Sequence, residues 1–334
     1  MNTSRTVMSS LAAIWAVGGF AASVVTEGTV TTLDVPKGET YVYEEALAAP
    51  TTQFVKTGAG TAQFVTAAPA YTGEILIQEG VADFTVPKAY GTGPITVSGG
   101  AQLVVSHASE GQDATSVAGT VTVAGSGPDG SGAIRFTGSG LGDCLFAKLV
   151  LAGDATIGGN RHGYKTIDFQ HHVFTWVGGN LMVSGHTWMN FEKLVHNGTA
   201  DICFQGWHGI DQSAAGKPIV IVNDGARISF WDSTEPIPYA LVYDAPSSLQ
   251  VNAGGAVKWA GPITVAAEKT LEIQTNGNGR KITLSGEVGG EGAVVIGGDQ
   301  DGTVVFDNPA NTWTGDYVQK RSTVQVRAPG SLPG

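Results

Sequence analysis

Short runs of alternating apolar and polar residues, punctuated by glycine, asparagine and aspartate, fill this chain from residue 28 onwards. Period-two alternation over a few residues marks a strand with one buried face. It predicts strands at 29–35, 40–43, 53–56, 117–123, 133–136, 148–151, 166–169, 173–177, 181–183 and 202–204. Further strands are predicted at 218–222, 227–230, 256–265, 270–274, 281–284 and 293–296, with a turn and strand at 99–105. The glycine-rich segment 124–132 reads as a loop between strands, because strand patterns resume on both sides. Beyond the first 25 residues no stretch has a sustained helical period.

Two stretches 242 residues apart align over 27 residues without a gap, Gly60 to Val86 and Gly302 to Ala328. Gly60/Gly302, Thr61/Thr303, Phe64/Phe306, Ala68/Ala310, Thr72/Thr314 and Gly73/Gly315 are identical. Tyr71 corresponds to Trp313. A repeated strand–turn–strand unit points to a stacked, quasi-one-dimensional fold. A β-sandwich array would show longer strands and more regular hairpins, so the pattern favours an all-β parallel β-helix. At about 20–25 residues per coil, the chain would make about 13 coils. At the strand spacing of a sheet, that is a rod about 60 Å long. Gly73 and Gly315 are expected to take positive φ at a tight corner. Phe64, Phe306, Tyr71 and Trp313 are expected to stack along the axis.

Several segments resemble the autotransporter-associated β-strand repeat. Phe54-Val55-Lys56-Thr57-Gly58-Ala59-Gly60-Thr61, followed by Tyr71-Thr72-Gly73, Ile77 and Gly80, carries the likeness first. Gly91-Thr92-Gly93-Pro94-Ile95-Thr96-Val97 with Gly99 to Leu103 continues it. Trp259 to Val265 and Leu284 to Gly292 are similar, the latter running into the second copy. The likeness covers 54–105 and 256–334. It departs at Ala62, where the family usually has leucine, and the Lys-Thr pair is missing before the second copy. The resemblance implies a secreted or surface-displayed right-handed β-helix, a passenger-like structure whose motif is structural and carries no catalytic residue. No membrane barrel pattern follows, and residues 328–334 read as the interior of another repeat. A fragment of a longer product is therefore expected, whose open last coil would invite end-to-end or edge self-association.

Composition agrees with strands and turns. Glycine reaches 48 of 334 residues, and charged residues are only 14%. The net charge is −11 with dispersed lysines and arginines, which argues against nucleic acid as a partner. Arg5, the apolar run from Val7 to Phe20 and the small residues Ala21-Ala22-Ser23 form a secretory signal. The run is shorter than a membrane span. The expected organisation is a signal peptide at 1–23 and a single exported β-helix domain at 24–334, with no membrane span in the mature chain. Cys144 and Cys203 either pair as a disulfide or remain as two buried thiols; sequence leaves both open.

The segment 144–232 is less regular and richer in histidine and tryptophan. His162, His171, His172, His186, His196 and His208 cluster there, but no pair has ligand spacing, so neither a metal nor any other cofactor is expected. Trp176, Trp188 and Trp207, with His208, are candidates for stacking on sugar rings; packing in the core or under a loop is the competing reading. Asp201, Asp211, Asp224 and Asp232 lie nearby without forming a motif, and Asp299 to Gly302 only faintly resembles a calcium loop. The expectation is a non-catalytic structural or adhesive β-helix presenting an extended face to a glycan or cell-surface ligand. The alternative is an extracellular polysaccharide-degrading lyase or hydrolase, which requires acid/base groups converging in a groove.

Overall fold

The structure, a computed structural model, describes residues 21–332 apart from 109–114, 139–143, 161, 185–189, 206–214, 231–234, 252–254, 278 and 298–301. The expected signal peptide therefore lies almost wholly outside the described residues.

The described chain is all β and winds into a solenoid of about 11 turns. At 4.7–4.9 Å per strand, that is a stack about 50 Å long. The count falls below the expected 13 because several coils are longer than 25 residues. Ile134, for example, pairs with Leu103 across the loop at 124–132. One ladder runs nearly the whole length, from Thr40–Tyr43 through Thr61–Phe64, Val173–Trp176 and Ala240–Tyr243 to Val288–Gly290. A second, starting at Val30–Asp34, covers the first coils and ends at Ile167–Asp168. A third runs from the long strands Thr115–Gly125 and Cys144–Gly159 through Asp201–Gln205, Arg227–Phe230, Ser247–Val251 and Thr270–Thr275 to Tyr317–Gln319. A fourth joins Ala256–Trp259, Lys281–Leu284, Thr303–Phe306 and Thr323–Val326. All these pairings are parallel. The exception is Ser23–Glu27, which folds antiparallel onto Val30–Asp34 at the first coil.

Inward residues form apolar columns. Phe54, Ile75, Ile95, Val121, Leu149 and Ile167 follow one another in register, each at most 1% exposed. Burying each such side chain stabilises the fold by about 1.5–3 kcal/mol. Phe64 stacks on Phe84 of the next coil at 4.6 Å, whereas Phe306 has Leu284 and Val326 as its neighbours along the axis and meets Trp313 within its own coil at 6.4 Å.

In both places the 27-residue repeat covers one turn and runs on through the first strand of the next. Thr61 pairs with Val81 and Thr303 with Thr323, so the coil length is the same. Gly73 and Gly315 do not have the expected positive φ; neither is among the residues in that region. What excludes a side chain is the coil beneath. A Cβ on Gly73 would stand 2.6 Å from the Thr52 carbonyl oxygen and also 2.5 Å from the Tyr71 hydroxyl of its own coil, and one on Gly315 2.0 Å from the Gly292 carbonyl oxygen. Gly60 and Gly302 are buried against Pro36 O and Thr275 Oγ1 for the same reason. Thr72 and Thr314 are exposed at the corners. The predicted strand 256–265 is two strands in different ladders, Ala256–Trp259 and Ile263–Val265, because Gly261 and Pro262 turn the corner. Ala240–Tyr243 and Ser247–Val251 were not anticipated.

Lys56 gives the Lys-Thr-Gly motif a physical role. It is fully buried, and its ammonium donates to the carbonyls of Thr57 (2.7 Å), Gly58 (2.6 Å) and Glu79 (3.1 Å). It ties the corner of its own coil to the next one.

Candidate functional site

The residues singled out from sequence do not form one site. Trp176 is fully buried, its indole N–H donating to the Gly179 carbonyl at 3.0 Å. It is a core residue and drops out as a glycan contact. Trp188, Trp207 and His208 lie outside the described residues, as do His186, Asp211 and Asp232. His196 stacks in the inner column above Trp176. Its Nε2 lies 3.1 Å from Ala200 O and 3.0 Å from Arg227 O, and the Gly198 amide donates to Nδ1 at 3.2 Å. That pattern is a neutral ring with its proton on Nε2, and burial pushes the pKa down to about 4. His171 is exposed in a turn, and His172 lies 3.8 Å from Asp154. Among the described residues no cluster of His, Cys, Asp or Glu is arranged to hold a metal ion.

The cysteines are not brought together. The register runs Cys144 to His162 to Leu181 to Ile202, the neighbour of Cys203. Three strand steps separate them, about 14 Å, against the 7 Å or so that a disulfide tolerates between Cα atoms. Cys203 is a buried thiol.

The arrangement that does gather polar groups lies on the outward face of the third ladder, where Arg227–Phe230, Ser247–Val251 and Thr270–Thr275 run side by side. An open cleft of ≈ 330 Å³ is lined there by Arg227, Ser247, Ser248, Gln250, Glu272 and Gln274, with Gly225, Pro246 and Thr270 at its margin. Strand alternation sends Ile228, Leu249 and Ile273 into the core and their neighbours outward. In register, one outward column is Asp201, Arg227, Ser248, Glu272; the next is Cys203, Ser229, Gln250, Gln274.

The floor of the cleft is ordered by hydrogen bonds. Gln250 Nε2 donates to Ser248 Oγ at 3.2 Å and to Gln274 Oε1 at 2.5 Å, while Gln250 Oε1 accepts from Asn276 Nδ2 at 3.2 Å. Ser248 and Gln250 are each over nine-tenths buried; Ser247, in register with the inward Leu271, faces the core, where its Oγ has no partner among the described residues. Arg227 is exposed. Asp201, one step below it, accepts from the Ser229 hydroxyl at 2.6 Å, leaving Oδ1 unpartnered among the described residues. Burial raises the Asp201 pKa, against the lowering effects of Ser229 and Arg227. Glu272 leans away from Arg227. A Cβ on Gly297 would meet its Oε1 at 2.0 Å, so the carboxylate lies over that glycine of the next coil. Asp201 and Glu272 are three steps apart, about 14 Å.

Sequence reasoning missed this cleft. A legible signal was present in Asp-Ile-Cys-Phe (201–204), Arg-Ile-Ser-Phe (227–230), Ser-Leu-Gln-Val (248–251) and Glu-Ile-Gln-Thr (272–275), four versions of one polar–apolar alternation.

No protein family, curated protein or solved structure matches the chain. The likeness to the autotransporter-associated repeat therefore rests on the residues of 54–105 and 256–334 alone.

Proposed function

We propose that this chain is an exported, passenger-like β-helix of the autotransporter-associated repeat type, which binds a glycan along its outward face without transforming it. The observation that carries the reading is the cleft at Arg227, Ser248 and Gln274. Its hydroxyls, amides and single cation come from consecutive coils, in register, over a floor fixed by hydrogen bonds. Such a surface suits a polyhydroxylated chain laid across several coils. The carboxylates flanking it are about 14 Å apart, whereas the paired carboxylates of glycosidases stand about 5–9.5 Å apart. This favours binding over the hydrolase alternative. The apolar leader and small-residue site before Val24 support export.

The test is a glycan array probed with the full chain, followed by incubation of each hit with assay of new reducing ends and of the ultraviolet absorbance of unsaturated sugars. Binding without product is expected. Product from any bound glycan would replace this reading with the enzymatic one, and an array without hits would remove it.

A further inference from the structure

The cleft on the third ladder has more donors than acceptors. Ser248 Oγ already accepts from Gln250, which leaves its own proton for an outside acceptor. Gln274 uses its carbonyl oxygen on Gln250, and its amide nitrogen is available. Arg227 adds an exposed guanidinium that forms no ion pair among the described residues. On the acceptor side, Glu272 is drawn over Gly297, and Asp201, one strand step below Arg227, uses Oδ2 on Ser229 and keeps a buried Oδ1. The donors that face out of the cleft, with the exposed Arg227 guanidinium, suit a ligand that brings acceptors and a negative charge.

We propose that the cleft formed by Arg227, Ser248 and Gln274 is a subsite for a carboxylated sugar, a uronic acid residue of an acidic polysaccharide, with its carboxylate on Arg227 and its hydroxyls on the Ser248 and Gln274 donors. Arg227 and Ser248 are successive members of one column. A planar guanidinium is suited to a carboxylate, which it can engage through two parallel bonds. The cleft's ≈ 330 Å³ lies at the small end of ligand pockets. It suits one or two sugar rings of a longer chain running along the solenoid axis. The acidic protein around it, with its net charge of −11, confines recognition to this local cation and works against non-specific polyanion binding.

The proposal rests on the glycan-binding reading above, and the experiment separates the two. Trigalacturonate and its methyl ester are titrated by calorimetry into the full chain, the Arg227→Gln variant and the Ser248→Ala variant. Circular dichroism checks that each variant keeps the parent fold, and the exposed position of Arg227 makes that outcome the expected one. The acid is expected to bind about tenfold or more tightly than the ester, and Arg227→Gln is expected to remove that difference. Ser248→Ala is expected to weaken both ligands severalfold. Added salt weakens the acid more than the ester. Equal affinity for acid and ester, or an acid affinity unchanged in Arg227→Gln, overturns the carboxylate subsite. If neutral glycans bind on the array while neither uronate does, glycan binding stands and this proposal falls. If nothing binds in either experiment, both fall.

Discussion

Replacing Lys56 by methionine keeps the apolar stem and removes an ammonium that is wholly enclosed by the fold. Two opposing effects follow. The carbonyls of Gly58 and Glu79 lose a donor, at about 1–3 kcal/mol for each left unpaired; Thr57 O still accepts from the Val35 amide at 3.1 Å. Against this, the chain no longer has to bury a charge. Burial lowers the Lys56 pKa from 10.5 to about 8, with Asp34 and Glu79 pulling the other way. A depression of that size corresponds to about 3 kcal/mol of disfavoured charge below pH 8. The two effects nearly offset at neutral pH, so absolute stability is a poor readout and the pH slope is a good one.

The sign is fixed by linkage. With the folded pKa below the unfolded one, the unfolded chain holds the extra proton between about pH 8 and pH 10.5, and stability rises through that window. From about pH 7 to about pH 10 the gain is about 2.5 kcal/mol for the parent chain, and none of it remains in Lys56→Met. Tyr43 and Tyr71, raised to about 12 chiefly by burial, contribute stability that is lost as the pH climbs from 10 towards 12. They act in both proteins, so the difference between them isolates the lysine. Urea unfolding followed by far-ultraviolet circular dichroism measures it. Because solenoids unfold by segments, hydrogen exchange of the amides at 53–64 serves as the local measure. Parallel pH slopes in parent and variant would refute the reasoning.

Three other outcomes are expected. His196 has a folded pKa of about 4 against 6.5 unfolded, so stability is lost as the pH falls through that interval, by about 3 kcal/mol. His196→Gln should lack this acid loss in denaturation curves, and an NMR titration of the His196 ring with a midpoint near 6 would contradict the account. Gly73→Ala and Gly73→Asn should each destabilise by about 1–3 kcal/mol, because the obstacles are the Thr52 carbonyl and the Tyr71 ring; rescue by asparagine, which tolerates positive φ, would point to backbone conformation instead. Thiol titration in denaturant without reductant should find both Cys144 and Cys203 reactive, and a cross-linked peptide joining them in a non-reducing digest would contradict the ladder register.

The solenoid was legible in the sequence because its determinants are local and repeated. Phe64 and Phe306, and the corner glycines 73 and 315, recur at the same offsets within a one-coil unit. What the same glycines do was not legible, since it depends on which carbonyl lies one coil below, a relation between residues 21 and 23 positions apart. Lys56 was noticed as part of a motif, yet a lysine in a turn reads as solvated; only the stacked coil supplies the three carbonyls around it. Trp176 and His196 invited a surface reading through their company with other tryptophans and histidines, and both belong to the inner column. The strand Ser247–Val251 escaped because two serines and a glutamine mask its alternation. The cleft that depends on it escaped with it.

Along an outward column of a parallel ladder, side chains can be separated only by whole strand steps, about 5, 10 or 14 Å. A retaining glycosidase needs its carboxylates at about one step, and an inverting one between one and two. Asp201 has Asn180 on one side, whose side-chain oxygen takes its amide proton at 3.1 Å, and Arg227 on the other. Glu272 is flanked by Ser248 and Val295, with Arg227 and Val318 two steps away. The adjacent column offers Ser229, Gln250, Gln274 and Gly297. In these two columns, among the described residues, neither carboxylate has a carboxylate partner at catalytic spacing. The same steps that deny these columns a catalytic pair give them donors at regular intervals along one direction, and a regular polymer is the ligand that can use them all.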